Sequence, residues 1–212
     1  MSIKNRLIVL QFFILFLYSC GGSVYLPVRD FLKSDEDPQE GFGAYGYLLF
    51  THRPIDSEKE RYSIICNSFF SEIIDMNEYS EYDISKFMVT FWLIKDSKDL
   101  TSKNNNCEEY ISNYDFARAQ VIASSINRNS VEGPILVAWT LPFLLNNNKS
   151  AQLILDMSNF SNEDISRAFR IWKDRITQNP EVWNDGFVMQ IIVEEFRSLI
   201  QKYGQTFINI FN

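Results

Sequence analysis

"KFMVTFWLI", residues 86–94, is the stretch whose reading decides the fold. From Phe87 to Ile94 only Thr90 is polar, and aromatic and β-branched side chains dominate. A run of this kind has no solvent-facing side. It predicts a strand covered on both faces, as strands in parallel sheets are. Such a strand needs partners beside it and helices above and below. The flanking sequence offers both.

Three further strands are predicted. "FGAYGYLLF" (42–50) precedes the central run, and "GPILVAWTL" (133–141) follows it, opened by Gly133-Pro134 and stopped by Pro142. "AQLILDM" (151–157) comes next, close enough to pair with 133–141 as an antiparallel hairpin. Helices are predicted between and after them. Ser57 and Glu60 fit a capping box, and Tyr62, Ile65, Cys66, Phe69 and Ile73 recur behind it at helical spacing. A second helix is expected over 113–127, with Phe116, Ala119, Ala123 and Ile126 inward. Ser161 caps a third, whose stripe is Ile165, Ala168, Phe169, Trp172 and Ile176. A fourth is expected from Pro180 to Gly204, and "FINIFN" (207–212) is expected as an edge strand or a cover over the core. Trp92, Trp139, Trp172 and Trp183 are read as core.

The expected order is βαβαββαα. It describes an α/β domain with a small mixed sheet of about four strands flanked by helices and a helical C-terminal part, since crossover helices favour parallel pairing. This order resembles a thioredoxin-like domain, and Gly133-Pro134 stands where that fold often carries a cis proline. The redox C-x-x-C of that family is absent, so the resemblance implies a fold and no activity.

The N-terminus carries an address. Lys4 and Arg6 precede the apolar run Leu7–Leu17, and Ser19 precedes Cys20. That layout is a secretory signal. It stops short of the roughly 20 apolar residues a membrane span needs. The residues Leu17-Tyr18-Ser19-Cys20-Gly21 resemble the lipobox of bacterial lipoproteins, with Tyr18 where a smaller residue is usual. The resemblance covers only about the first 22 residues. It implies cleavage after Ser19 and lipid, such as palmitate, on Cys20. Gly21 in place of Asp implies the outer membrane, facing the periplasm, rather than the inner. Residues 1–19 are thus expected as a lipoprotein signal peptide, 20–41 as a tether and 42–212 as a single α/β domain. The tether includes the charged stretch Ser34–Gly41.

Composition narrows the partners. A hydrophobic fraction of 46% and an aromatic fraction of 15% belong to a folded domain. Loss of Lys4 and Arg6 with the signal moves the formal charge from −7 to −9. Such a surface repels phosphate backbones, and nucleic acid is not expected as a partner. In an oxidising compartment Cys66 and Cys107 are expected to pair, which closes a loop and stabilises the fold by roughly 4 kcal/mol. A buried free Cys66 is the plainer alternative. One histidine and two distant cysteines do not make a four-ligand metal site, and no metal or cofactor is expected.

Candidate chemistry is sparse. His52, the only histidine, follows the first predicted strand, where α/β sheets bind ligands. No G-x-S-x-G supplies a nucleophile, and a loop histidine beside Arg53 is the plainer reading. Asp115 and Arg118, three residues apart at a helix start, could hold an anion or simply stabilise the helix. Arg167, Arg170, Lys173 and Arg175 form a basic cluster that could meet anionic headgroups or face solvent. The expected function is a membrane-anchored envelope lipoprotein. Its globular domain binds a partner, protein or envelope polymer, without catalysis. The alternative is an envelope hydrolase or small-ligand-binding protein with a cleft near His52, Asp115 and Arg118.

Overall fold

Phe87–Ile94 is a strand, and every residue of it is buried. In a computed structural model, the described residues are 25–79, 81–95, 106–128, 133–141, 152–183 and 187–211. The expected signal peptide and Cys20 lie outside them. The chain forms β1 (Leu26–Lys33), β2 (Ala44–Leu49), α1 (Lys59–Glu72), β3 (Ile74–Asp75), β4 (Phe87–Ile94), α2 (Cys107–Ser112) and α3 (Phe116–Ser125). It continues with β5 (Ile135–Trp139), β6 (Gln152–Asp156), α4 (Asn162–Ile171), α5 (Met189–Glu195), α6 (Arg197–Tyr203) and β7 (Ile208–Phe211).

The fold is mixed α/β. Its sheet has seven strands in the order β3-β1-β4-β2-β5-β6-β7, not about four. β1 runs parallel to β3 and β4, and β2 runs parallel to β4. β5, β6 and β7 then alternate in direction. The predicted hairpin of β5 and β6 forms, "FINIFN" supplies the edge strand β7, and the Gly133–Pro134 bond is cis. All four tryptophans are buried.

β1 lies within the stretch expected as tether. It pairs with β4 along its whole length, from Leu26↔Phe87 to Lys33↔Ile94, and buries Val28 and Leu32. Pro27, Arg29 and Asp30 hide it from a pattern search. Arg29 is accommodated because its guanidinium reaches Asp75 of β3 at 2.9 Å and lies over the Phe70 ring. Folded structure therefore begins before residue 42, and Ser34–Gly41 falls in the connection from β1 to β2.

Successive residues of β4 face opposite sides. Trp92 points towards α1 and packs among Phe50, Phe69, Phe70 and Tyr114. Phe91 points the other way, to Phe42 and Tyr47. Thr90 shares the α1 side and accepts a hydrogen bond from Trp172 Nε1 at 3.3 Å. The neighbouring strand carries Gly46 here, where a Cβ would sit 3.0 Å from Thr90 Oγ1. The layer on this side is completed by α4, whose Phe169 meets Phe69 of α1. Burial on both faces of the central strands is the main stabilising term.

Three helix boundaries differ from expectation. α1 starts at Lys59, after a 3₁₀ turn over Asp56–Glu58, and Ser57 does not cap it. The helix expected over 113–127 is α3, which starts three residues later because Tyr114 is drawn into the sheet, and the short α2 before it was not expected. The Tyr114 backbone bridges Ile94, and its buried hydroxyl donates to Leu48 O at 2.7 Å. The long helix expected from Pro180 is a 3₁₀ turn followed by α5 and α6, broken at the fully buried Phe196. Gly204, at φ +78°, ends α6 as the C-terminal signal predicted.

Candidate functional site

The C-terminal ends of β1, β2, β4 and β6 share one edge of the sheet, because these strands run the same way. Ligand sites in α/β sheets form at such edges. Here the edge is held by hydrogen bonds to backbone. Tyr114 accepts from the Phe50 N–H at 3.2 Å while donating to Leu48 O. Gln120 Nε2 donates to Thr51 O at 2.8 Å, and Tyr62 donates to His52 O at 2.8 Å. Arg61 donates to the carbonyls of Met157, Ser158 and Phe160 at 2.7–3.0 Å, tying α1 to the turn after β6. Burial in the aromatic layer pushes the Tyr114 hydroxyl far up, so it stays protonated.

His52 lies on this edge, but its ring turns to the chain itself. Nε2 is 3.1 Å from Glu58 Oε2 and 3.2 Å from Oε1. Glu58 also accepts from the Ile55 N–H at 3.0 Å, and that bond, with His52, holds its carboxyl below the usual range. Asp115 is the buried N-cap of α3. It accepts the Arg118 backbone N–H at 3.0 Å and a hydrogen bond from Ser34 Oγ. The Arg118 guanidinium does not pair with the Asp115 carboxylate; it donates to Lys33 O. These two side chains therefore lock α3 to the end of β1.

A groove of about 600 Å³ opens beside His52. Arg53 and Pro54 form one wall, Lys59, Glu60, Tyr62 and Ser63 of α1 the second, and Glu108, Ile111 and Ser112 of α2 the third, with Phe116 among its lining. His52, Asp115 and Arg118 do not line it. The Cys66–Cys107 disulfide joins α1 to α2 with 5.8 Å between Cα atoms, and so sets the separation of two walls. The Arg53 guanidinium lies 6.0 Å from the Phe116 ring centroid and, among the described residues, has no carboxylate partner. Lys59, by contrast, pairs with Asp56 at 2.7 Å.

Sequence reasoning singled out His52 and missed the groove lining next to it. The available signals were Arg53-Pro54, which cannot extend the strand, and Phe116, an aromatic ring at the first position of a helix. Only the approach of α2 to α1 turns them into a site. The basic cluster of α4 and the turn after it is largely engaged within the domain. Lys173 reaches Glu72 at 3.0 Å, Arg170 the same carboxylate at 3.9 Å, and Arg175 Glu195 at 3.8 Å.

Among the described residues, no helix is long and apolar enough to cross a membrane, and no group of three His, Cys, Asp or Glu side chains could hold a metal ion. No family model, curated protein or solved structure matches this chain.

Proposed function

We propose that the protein is a lipid-anchored lipoprotein of the bacterial envelope whose domain binds a partner in the Arg53–Phe116 groove. The observation that carries this reading is the groove itself. It is lined by Tyr62, Ile111 and Phe116, by Arg53, which has no carboxylate partner among the described residues, and by acidic side chains on the α1 and α2 walls. Its volume is within the range of ligand sites, which is about 300–1,000 Å³. It is open to solvent rather than closed over, which favours a segment of a larger partner, protein or envelope polymer, over a small enclosed ligand. The layout of charge favours a segment with an anionic group for Arg53, since a guanidinium fork binds carboxylate bidentately.

The hydrolase alternative is weaker for a geometric reason. His52, Asp115 and Arg118 each spend their polar atoms on Glu58, Ser34 and the backbone, and none lines the groove. The anchor rests on the Leu17–Gly21 resemblance. Cys20→Ala should release the protein from membranes, and unchanged fractionation would refute the anchor. Binding is tested with a photoreactive residue at Ser63 in intact cells. A discrete adduct that disappears on Arg53→Ala supports the groove. An adduct unaffected by Arg53→Ala, or no adduct at Ser63, refutes it.

A further inference from the structure

We infer that the sheet edge opposite the groove rests on the lipid–water interface of the membrane that holds Cys20. The inference rests on the lipid-anchor reading and adds an orientation and a lipid class. Its first support is reach. Only residues 21–25 separate Cys20 from Leu26, the first residue of β1. Fully extended, that stretch spans at most about 20 Å. The edge where β1 begins therefore stays beside the bilayer. β1 then runs away from it for about 26 Å, which carries the groove towards the periplasm.

The second support is which side chains share the lower edge. The pairings Leu26↔Phe87, Ala44↔Met88 and Tyr45↔Trp139 put the starts of β1, β2 and β4 and the end of β5 at one level. Tyr25, residues 82–86 and Leu141 lie just beyond those strand ends. Tyr82 is 57% exposed and Leu141 49% exposed. Tyr79 packs edge-on against Tyr82 at 5.6 Å and supports its ring from behind. Tyrosine with its ring in the headgroup layer and its hydroxyl in water is a usual interfacial anchor. β5 lies three strands from β1 in the sheet, so Leu141 is about 14 Å across from Tyr25. Two such contacts spaced along the edge resist tipping.

The third support is charge, which selects the lipid. Among the described residues near this edge, Glu40, Glu81 and Asp83 stand beside Lys86, and Arg170 and Lys173 are paired with Glu72 at the end of α1, so the edge carries no excess of positive charge. Anionic headgroups gain nothing from such a surface. A zwitterionic interface fits it, held by the tyrosines, by Leu141 and by the acyl chains on Cys20.

The test uses the full-length lipidated protein in vesicles of phosphatidylethanolamine and phosphatidylcholine with brominated acyl chains. The four native tryptophans are buried. Tyr82→Trp adds a reporter to the lower edge, Leu141→Trp a second one, and Ile55→Trp a control on the groove edge. Brominated lipid should remove most of the emission added by Tyr82→Trp and Leu141→Trp and leave that of Ile55→Trp intact. Adding phosphatidylglycerol should not increase the quenching. If intact mass shows acyl chains on Cys20 and neither lower-edge reporter is quenched, the orientation is wrong and the anchor stands. If the mass shows an unmodified Cys20, both fall. Quenching of Ile55→Trp, or quenching of the lower edge only with phosphatidylglycerol, also overturns the inference.

Discussion

The two ends of the sheet are built from different interactions. At the groove end, side chains from α1, the α2–α3 connection and α6 reach across to carbonyls and carboxylates. Arg61 takes three carbonyls, Tyr114 bridges two backbone groups, and Asp164 collects Ser161, Lys202 and Tyr203. At the opposite end the chain is held by shorter-range backbone contacts and by rings. The Phe42 N–H donates to Tyr45 Oη at 3.1 Å, the Gly43 N–H to Phe87 O at 2.9 Å, and Tyr79 packs against Phe87 and Tyr82. Directional hydrogen bonds give one geometry, which suits an edge that must present a shaped groove. Apolar and aromatic packing is less directional, which suits a broad contact with a fluid surface.

Substitutions should separate the two ends. The largest effect is expected for Cys66→Ser, which frees α2 from α1 at the groove. Loss of this loop closure costs about 4 kcal/mol in the chain-entropy account. Denaturant unfolding should show the loss only under oxidising conditions, and reductant should bring the parent protein down to the variant. Tyr114→Phe leaves Leu48 O and the Phe50 N–H without their hydroxyl partner, at a cost of about 1–3 kcal/mol for buried groups left unsatisfied. An equally large loss from Tyr45→Phe at the other end would erase the contrast.

The groove end should also carry a pH dependence. The Asp164 carboxyl is lowered from its ordinary 3.8 to about 2 by hydrogen bonds from Lys202, Tyr203 and Ser161. A carboxyl depressed by folding adds stability above its unfolded pKa and loses it as pH falls through the folded one. Unfolding free energy should therefore decline between about pH 4 and pH 2, and Asp164→Asn should flatten that decline. Asp115→Ala removes an N-cap and should cost about 1 kcal/mol by thermal or denaturant unfolding. The smallest change is expected at the other end. Tyr82→Ser, at an exposed position, should leave stability within about 0.5 kcal/mol of the parent.

Much of this molecule can be read along the chain, because local periodicity reports burial. β4 is an unbroken apolar run, and burial of its eight residues follows from that. α4 carries its apolar residues on one stripe, and Ser161 caps it by accepting the Asp164 N–H, as the spacing predicts. β1 escapes the same reasoning. Its Arg29 and Asp30 look like linker until Asp75 and the Phe70 ring are placed beside Arg29. Asp115 stabilises a helix start, as its position predicts, but the partners of His52, Asp115 and Arg118 were not legible. Which atoms they engage depends on Glu58, Ser34 and Lys33 O.

By itself the sequence determined the layered α/β core and the stripes of α1 and α4, and it left Cys66 either paired with Cys107 or free, a choice the structure makes by bringing their Cα atoms to 5.8 Å. The core and the stripes follow from side-chain period, which is a property of the linear chain. Only the tertiary structure decided that β1 is an inner strand, that Tyr114 joins the sheet between α2 and α3, and that Arg53 stands over Phe116 at a groove. Each of those depends on partners far apart along the chain, 66 residues for Tyr114 and Leu48 and 81 for Ser34 and Asp115. Hydrogen bonds and ring contacts at such separations are chosen by packing, and a periodic pattern carries no record of them.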